Sequence, residues 1–143
     1  NDAGFAATAV TELETSVRSA DIVSCATLAT SPLIKGVWLK PGAHLDLVGG
    51  FTPDMREADD EAMRRGRIFV DTRDGALAEA GDLIDPIAAG VITEADVVGE
   101  MSELCRGTVA GRGAADEITV FKSVGAAIED LAAAELALKR RGD

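Results

Sequence analysis

The chain predicts a doubly wound α/β fold, and three observations carry that expectation. Short runs rich in Val and Ile alternate with helical segments, an order that builds parallel β-α-β units. Hydrophobic residues make up 47% of the 143 residues, enough to fill a core and to exclude global disorder. Aromatic residues are only 3%, with no Tyr, so that core must be aliphatic.

The elements follow in order. Ala6 to Val10 reads as a first strand. Thr11 caps a helix that runs to Ala20, with Glu14 as its capping-box partner. Asp21 to Cys25 is largely apolar, as a strand covered on both faces must be. The loop from Ala26 to Gly42 is broken by Pro32, Gly36 and Pro41, and Ala43 to Val48 forms the third strand before Gly49-Gly50 stops it. Asp54 and Glu57 repeat the capping-box pattern, and Asp59 to Arg65 is a helix whose acids precede its bases, the order the helix dipole favours. Arg67 to Val70 is the fourth strand. Thr72 caps a helix over Ala76 to Ala80, stopped at Gly81, and Asp85-Pro86 opens a short helical turn. Thr93 caps a helix reaching Arg106, with Val97, Val98, Met101, Leu104 and Cys105 as its buried stripe. The Gly107 to Gly113 loop is a connector. Glu117 to Phe121 is the fifth strand, and Ser123 starts an Ala-rich last helix with a Glu135–Lys139 pair.

Charge and cysteine content narrow the function classes. Twenty-five acidic side chains against 14 basic ones give a net charge of −11, which argues against nucleic acid as a partner. The longest uncharged run, Ile22 to Ile34, contains Pro32 and falls well short of the ~20 residues that span a bilayer, so no membrane partner is expected. Cys25 and Cys105 are expected to be buried and unpaired, which fits a cytoplasmic setting.

In doubly wound sheets ligands bind beyond the carboxyl ends of the strands. That rule selects Thr11, Ala26-Thr27, Gly49 to Pro53, Asp71 to Arg73 and Lys122 to Gly125. The glycine fingerprints of nucleotide loops and the elbow of a serine hydrolase are absent. His44 is the sole histidine and completes no triad; it reads as structural. Asp59, Asp60 and Glu61 point in different directions around a helix and read as a solvated face, so no metal is expected. Asp71 and Asp74 read as turn and cap residues. Gly49-Gly50 admits either close approach of a flat ligand or a tight turn. Ser123 serves as a helix cap or holds a polar ligand group.

Four segments, Ala20 to Thr27 (ADIVSCAT), Trp38 to Asp59 (WLKPGAHLDLVGGFTPDMREAD), Arg67 to Leu83 and Glu117 to Ala134, occur in an order and spacing that resembles the carboxyl-terminal part of the ornithine cyclodeaminase/mu-crystallin family. The combination K-P-G-x-H, V-G-x-x-x-P-D and V-F-K-S-V-G is specific. The resemblance implies a partial Rossmann-like sheet of about five mainly parallel strands. Residues 1–122 would form the second half of an NAD(P)-binding domain, and residues 123–143 a helix that packs on a substrate domain. That substrate domain and the glycine fingerprint lie outside this sequence, so the chain is expected to be a fragment and inactive alone.

The resemblance also implies site residues. Thr27, the strand residues Leu45, Asp46, Leu47 and Val48, and Ser123 match cofactor-contacting positions, and Val124 matches a position touching the substrate. The cofactor would be NAD or NADP, the substrate a small imino or amino acid, and the full-length protein a homodimer. Cyclodeaminases carry an aspartate right after the Gly-Gly, proposed as a base, and a cofactor-contacting lysine a few residues on; this chain has Phe51 and Met55. The departure resembles the reductase branch of the family, which reduces cyclic imines such as pyrroline-2-carboxylate. The alternatives are ornithine cyclodeamination and a non-catalytic small-ligand module.

Overall fold

A computed structural model describes residue 4 and residues 6–141. Five parallel strands, β1 (Ile22–Cys25), β2 (His44–Leu47), β3 (Arg67–Val70), β4 (Val97–Glu100) and β5 (Thr119–Lys122), form one sheet in the order β1-β2-β5-β3-β4. Six α-helices connect or follow them: α1 (Leu13–Ser19), α2 (Asp60–Arg65), α3 (Arg73–Glu79), α4 (Gly81–Ala88), α5 (Met101–Arg106) and α6 (Ala127–Arg141). Leu45, Leu47, Ile68, Val70 and Val120 are fully buried along the central strands. Each contributes on the order of 1.5–3 kcal/mol of apolar burial, which makes the aliphatic sheet the anchor for every turn at its ends.

The expected α/β class and parallel sheet are present, but one strand is exchanged for another. Ala6 to Val10 is exposed and pairs with nothing; three of its five residues are alanines, which offer little side chain to bury. The remaining strand is β4, inside the segment expected to be one long helix. Thr93 and Asp96 do form a capping box, yet it closes only a single 3₁₀ turn over Glu94–Asp96. The β-branched pair Val97-Val98 then joins β3, and Glu100 opens a second capping box with Glu103 that begins α5. Cys105 and Met101, expected on a buried stripe, are exposed as a result. Cys25 is buried as expected.

Smaller corrections concern helix starts. The N-cap of α1 is Glu12, without a side-chain cap bond, rather than Thr11. Gly81 begins α4 instead of merely stopping α3, and Asp85-Pro86 lies within α4. Asp59 caps α2 by accepting from the Ala62 N–H. The last helix starts at Ala127, four residues beyond Ser123, whose hydroxyl is engaged elsewhere.

Candidate functional site

The strand ends stand in one row. Cys25, Leu47, Lys122 and Val70 are partners across β1, β2, β5 and β3. One backbone bond beyond them extends the row: Val48 N–H donates to Cys25, Ser123 N–H to Leu47 and Asp71 N–H to Lys122. Thr27, Val48 and Ser123 therefore follow three adjacent parallel strands at their carboxyl ends. From β1 to β5 is two strand spacings, roughly 10 Å.

Three buried acids organise this rim. Glu57 is fully buried and its carboxylate accepts from the Thr27 N–H (2.7 Å), the Thr27 hydroxyl (2.8 Å) and the Gly49 N–H (2.9 Å). The turns after β1 and β2 are thereby tied to one side chain. Asp71, at the end of β3, accepts from the Ser123 hydroxyl and from the Val124 and Gly125 N–H groups through one oxygen, and from the Thr72 N–H through the other. Asp82, in the first turn of α4, accepts from the Glu57 and Ala58 N–H groups, and its second oxygen stands 3.4 Å from the Lys122 ammonium. Asp82 and Lys122 are both fully buried. Burial pushes the Asp82 carboxyl above its ordinary range, against the pull of its backbone donors and of Lys122.

Gly49 and Gly50 are needed for close approach. A Cβ on Gly49 would lie 2.1 and 2.2 Å from the backbone oxygen and nitrogen of Thr27. One on Gly50 would meet Asp82 at 2.9 Å and Lys122 at 3.3 Å. The turn is thus packed tightly from below, while Val48 and Phe51 remain exposed beside it.

The residues expected at a site divide between those on this rim and those in the core. Thr27 is half-buried and Val48 exposed on the rim; Ser123 and Val124 sit at its centre, Ser123 nearly closed off and Val124 half-buried. Leu45 and Leu47 point into the core and are fully buried, so they fix the strand rather than offer side chains. Asp46 lies on the other face of β2 and accepts from Ser24 at 2.7 Å. His44 meets Thr119 at 2.8 Å, consistent with a structural role. The Cys25 thiol is pushed up to about 12, chiefly by burial and then by the charges of Glu57, Asp82 and Asp46, so it is no nucleophile. Among the described residues no group of three His, Cys, Asp or Glu side chains is placed to hold a metal.

In the sequence Lys122 is selected only as the first residue of the strand end Lys122 to Gly125, and Glu57 and Asp82 carry no site role. Glu57 was read as a capping-box partner of Asp54, but Asp54 instead accepts from the Thr52 hydroxyl. A signal did exist in Lys122, which ends a strand buried on both faces, where a charge must have a buried partner.

The sequence profile of the ornithine cyclodeaminase/mu-crystallin family matches residues 1–141. The chain belongs to this family. A Delta(1)-pyrroline-2-carboxylate reductase of Paracoccus denitrificans is 50% identical over 86% of the chain and 39% of its own length. The structure of a Thermococcus litoralis Delta(1)-pyrroline-2-carboxylate reductase in complex with NADH and L-proline superposes with a TM-score of 0.88 at 41% identity, covering 91% of this chain and 40% of that one. An archaeal alanine dehydrogenase dimer with bound NAD gives a TM-score of 0.86 at 31% identity, over 98% of this chain and 44% of its own. The chain thus spans about two fifths of these family members.

Proposed function

We propose that the rim forms part of the nicotinamide side of an NAD(P)H site, in a protein that reduces a cyclic imino acid such as pyrroline-2-carboxylate to the amino acid. The observation that carries this reading is the fate of the carboxylates. Phe51 stands where a cyclodeaminase base would follow the Gly-Gly. Asp54 is engaged by Thr52, and Glu57, Asp71 and Asp82 each bind two or more N–H or O–H donors. The buried carboxylates at the turns after β1, β2 and β5 are thus all committed to holding the backbone, and the exposed Asp54 holds the Thr52 hydroxyl, which suits imine reduction better than amine attack and ammonia loss.

What the rim offers fits the uncharged end of a dinucleotide. Ala26 to Ile34, Val48 to Met55 and Ser123 to Ala134 contain no Lys or Arg, so these segments offer no cationic side chain to a phosphate. The hydroxyl protons of Thr27 and Ser123 are committed to Glu57 and Asp71 and their oxygens already accept from the Ala29 and Gly125 N–H groups, leaving each one lone pair to accept from an amide or hydroxyl. Val48 supplies an exposed apolar contact, and Leu45, Asp46 and Leu47 hold the strand beneath it. Val124, two residues beyond β5, is the candidate substrate contact. The cofactor, NAD or NADP, would supply the hydride, and Thr27, Val48 and Ser123 would help to hold it at the sheet end.

Residues 1–122 would then be the cofactor-binding portion. On α6, Ile128, Leu131, Leu136 and Leu138 are 72%, 59%, 52% and 69% exposed, which supports residues 123–143 as an arm that packs on another domain. The dimer named for the archaeal relative supports a homodimer, and two unbridged cysteines support a cytoplasmic setting. Among the described residues no helix is long and apolar enough to cross a membrane.

The test is an absorbance assay of the whole protein with NADH or NADPH and pyrroline-2-carboxylate. Cofactor oxidation with proline formed supports the reading. Absence of oxidation together with proline and ammonia from ornithine would establish the cyclodeaminase alternative.

A further inference from the structure

The Lys122–Asp82 pair has no evident stabilising purpose. Both side chains are fully buried, their charged atoms are 3.4 Å apart, and neither the Lys122 Nζ nor the Asp82 Oδ2 makes a hydrogen bond. A buried pair so loosely joined recovers little of its desolvation cost, and such pairs are often replaceable by neutral groups without loss of stability. Its location is informative. The two unpartnered atoms lie under the Cα of Gly50, where an added Cβ would touch both. The other Asp82 oxygen holds the Glu57 and Ala58 N–H groups, and the Glu57 carboxylate holds Thr27 and Gly49. The links run unbroken from the end of β5, through α4 and residues 57–58, to the turns after β1 and β2.

We propose that Lys122 and Asp82 are positioning residues, which set the height and rigidity of the Gly49-Gly50-Phe51 turn from beneath. The role as a seat for a cofactor rests on the reading above; the control of the turn does not. The charge pair gives the floor under Gly50 a fixed polar geometry that a methyl-lined floor would lack. Through Glu57 the same floor sets where the Thr27 hydroxyl points. The rise in the Asp82 carboxyl's proton affinity is what a desolvated and incompletely partnered acid should show.

The experiment compares the whole protein that contains this chain with its Lys122→Met, Asp82→Asn and double variants. Asp82→Asn keeps an oxygen for the Glu57 and Ala58 N–H groups. Lys122→Met alone should lower the melting midpoint, because it leaves a buried carboxylate unpaired, and the double variant should regain most of that loss. Positioning predicts that the double variant nevertheless shows at least tenfold faster amide exchange at Gly49, Gly50 and Phe51, and at least tenfold weaker NADH binding. Exchange at those amides that returns to the parent rate along with the melting midpoint would overturn the proposal. If exchange accelerates while the whole protein that contains this chain shows no NADH binding, the positioning assignment stands and the cofactor reading of the rim fails.

Discussion

The two ends of the sheet differ in what their charged residues do. At the amino end, a cavity of about 350 Å³ is lined by Arg64, Arg65, Arg67, Asp96 and Glu117 together with Met63, Val91, Ile92 and Val98. It has the charge and the volume of a ligand site. Yet Arg64 is paired with Glu61, Arg65 donates to the Gly36 carbonyl, and Arg67 donates to Ala110 and lies over the Phe69 ring. Asp96 and Glu117 are engaged by Thr93 and Gly113. At the carboxyl end the charges are buried acids that bind the turns themselves. Volume and charge single out the amino end, whereas the turns held in common by buried carboxylates are those on which the proposed site rests.

The contrast is sharpest at Glu57. Glu57→Ala removes the acceptor for three donors in two turns, and a loss of about 4 kcal/mol of unfolding free energy is expected, with NADH affinity lost as well. Denaturant titration and a binding titration on the same samples check both. Next is Ser123→Ala, which removes one hydroxyl from Asp71 but leaves that acid two backbone donors from the same loop. About 1 kcal/mol of stability should go, and NADH affinity should fall severalfold. Arg64→Ala at the amino-end cavity should cost less than about 0.5 kcal/mol, since the Arg64 side chain is itself largely exposed to solvent, and NADH affinity should not change. A large loss of affinity there would break the comparison.

The smallest effect is a pH dependence at His44. Burial lowers its pKa below the ordinary value of 6.5, opposed by Asp46 and reinforced by Arg112. The unfolded chain then binds more protons than the folded one in the window from 6.5 down to the folded value. The stability that a neutral His44 confers is present above pH 6.5 and is lost as pH falls through that window. On going from pH 7.5 to pH 5.5 the parent should lose more stability than His44→Gln; equal losses would show that His44 titrates alike in both states.

Much of this was legible in the amino-acid order. Short apolar runs at β1, β2 and β5 and the stops after them place Thr27, Val48 and Ser123 at strand ends, and the sheet rule makes those ends a common rim. Period and capping alone misplace β4, because Val97, Val98, Met101, Leu104 and Cys105 fit a helical stripe. Only the pairing with β3 resolves the first two into a strand. Ser123 has the composition of a cap, but its nearest acceptor comes from 52 residues away, at Asp71. The roles of Glu57 and Asp82 and the partner of Lys122 escape for the same reason: each is a charge with a partner distant in sequence, and local patterns treat charge as surface.

The most direct measurement is mapping of amide chemical shifts as NADH is added to the isotopically labelled whole protein. The account predicts shifts concentrated at Thr27, Val48 to Phe51 and Ser123 to Gly125. Shifts concentrated at Arg64 to Arg67 and Val91 to Val98 would place the ligand at the opposite end and contradict it.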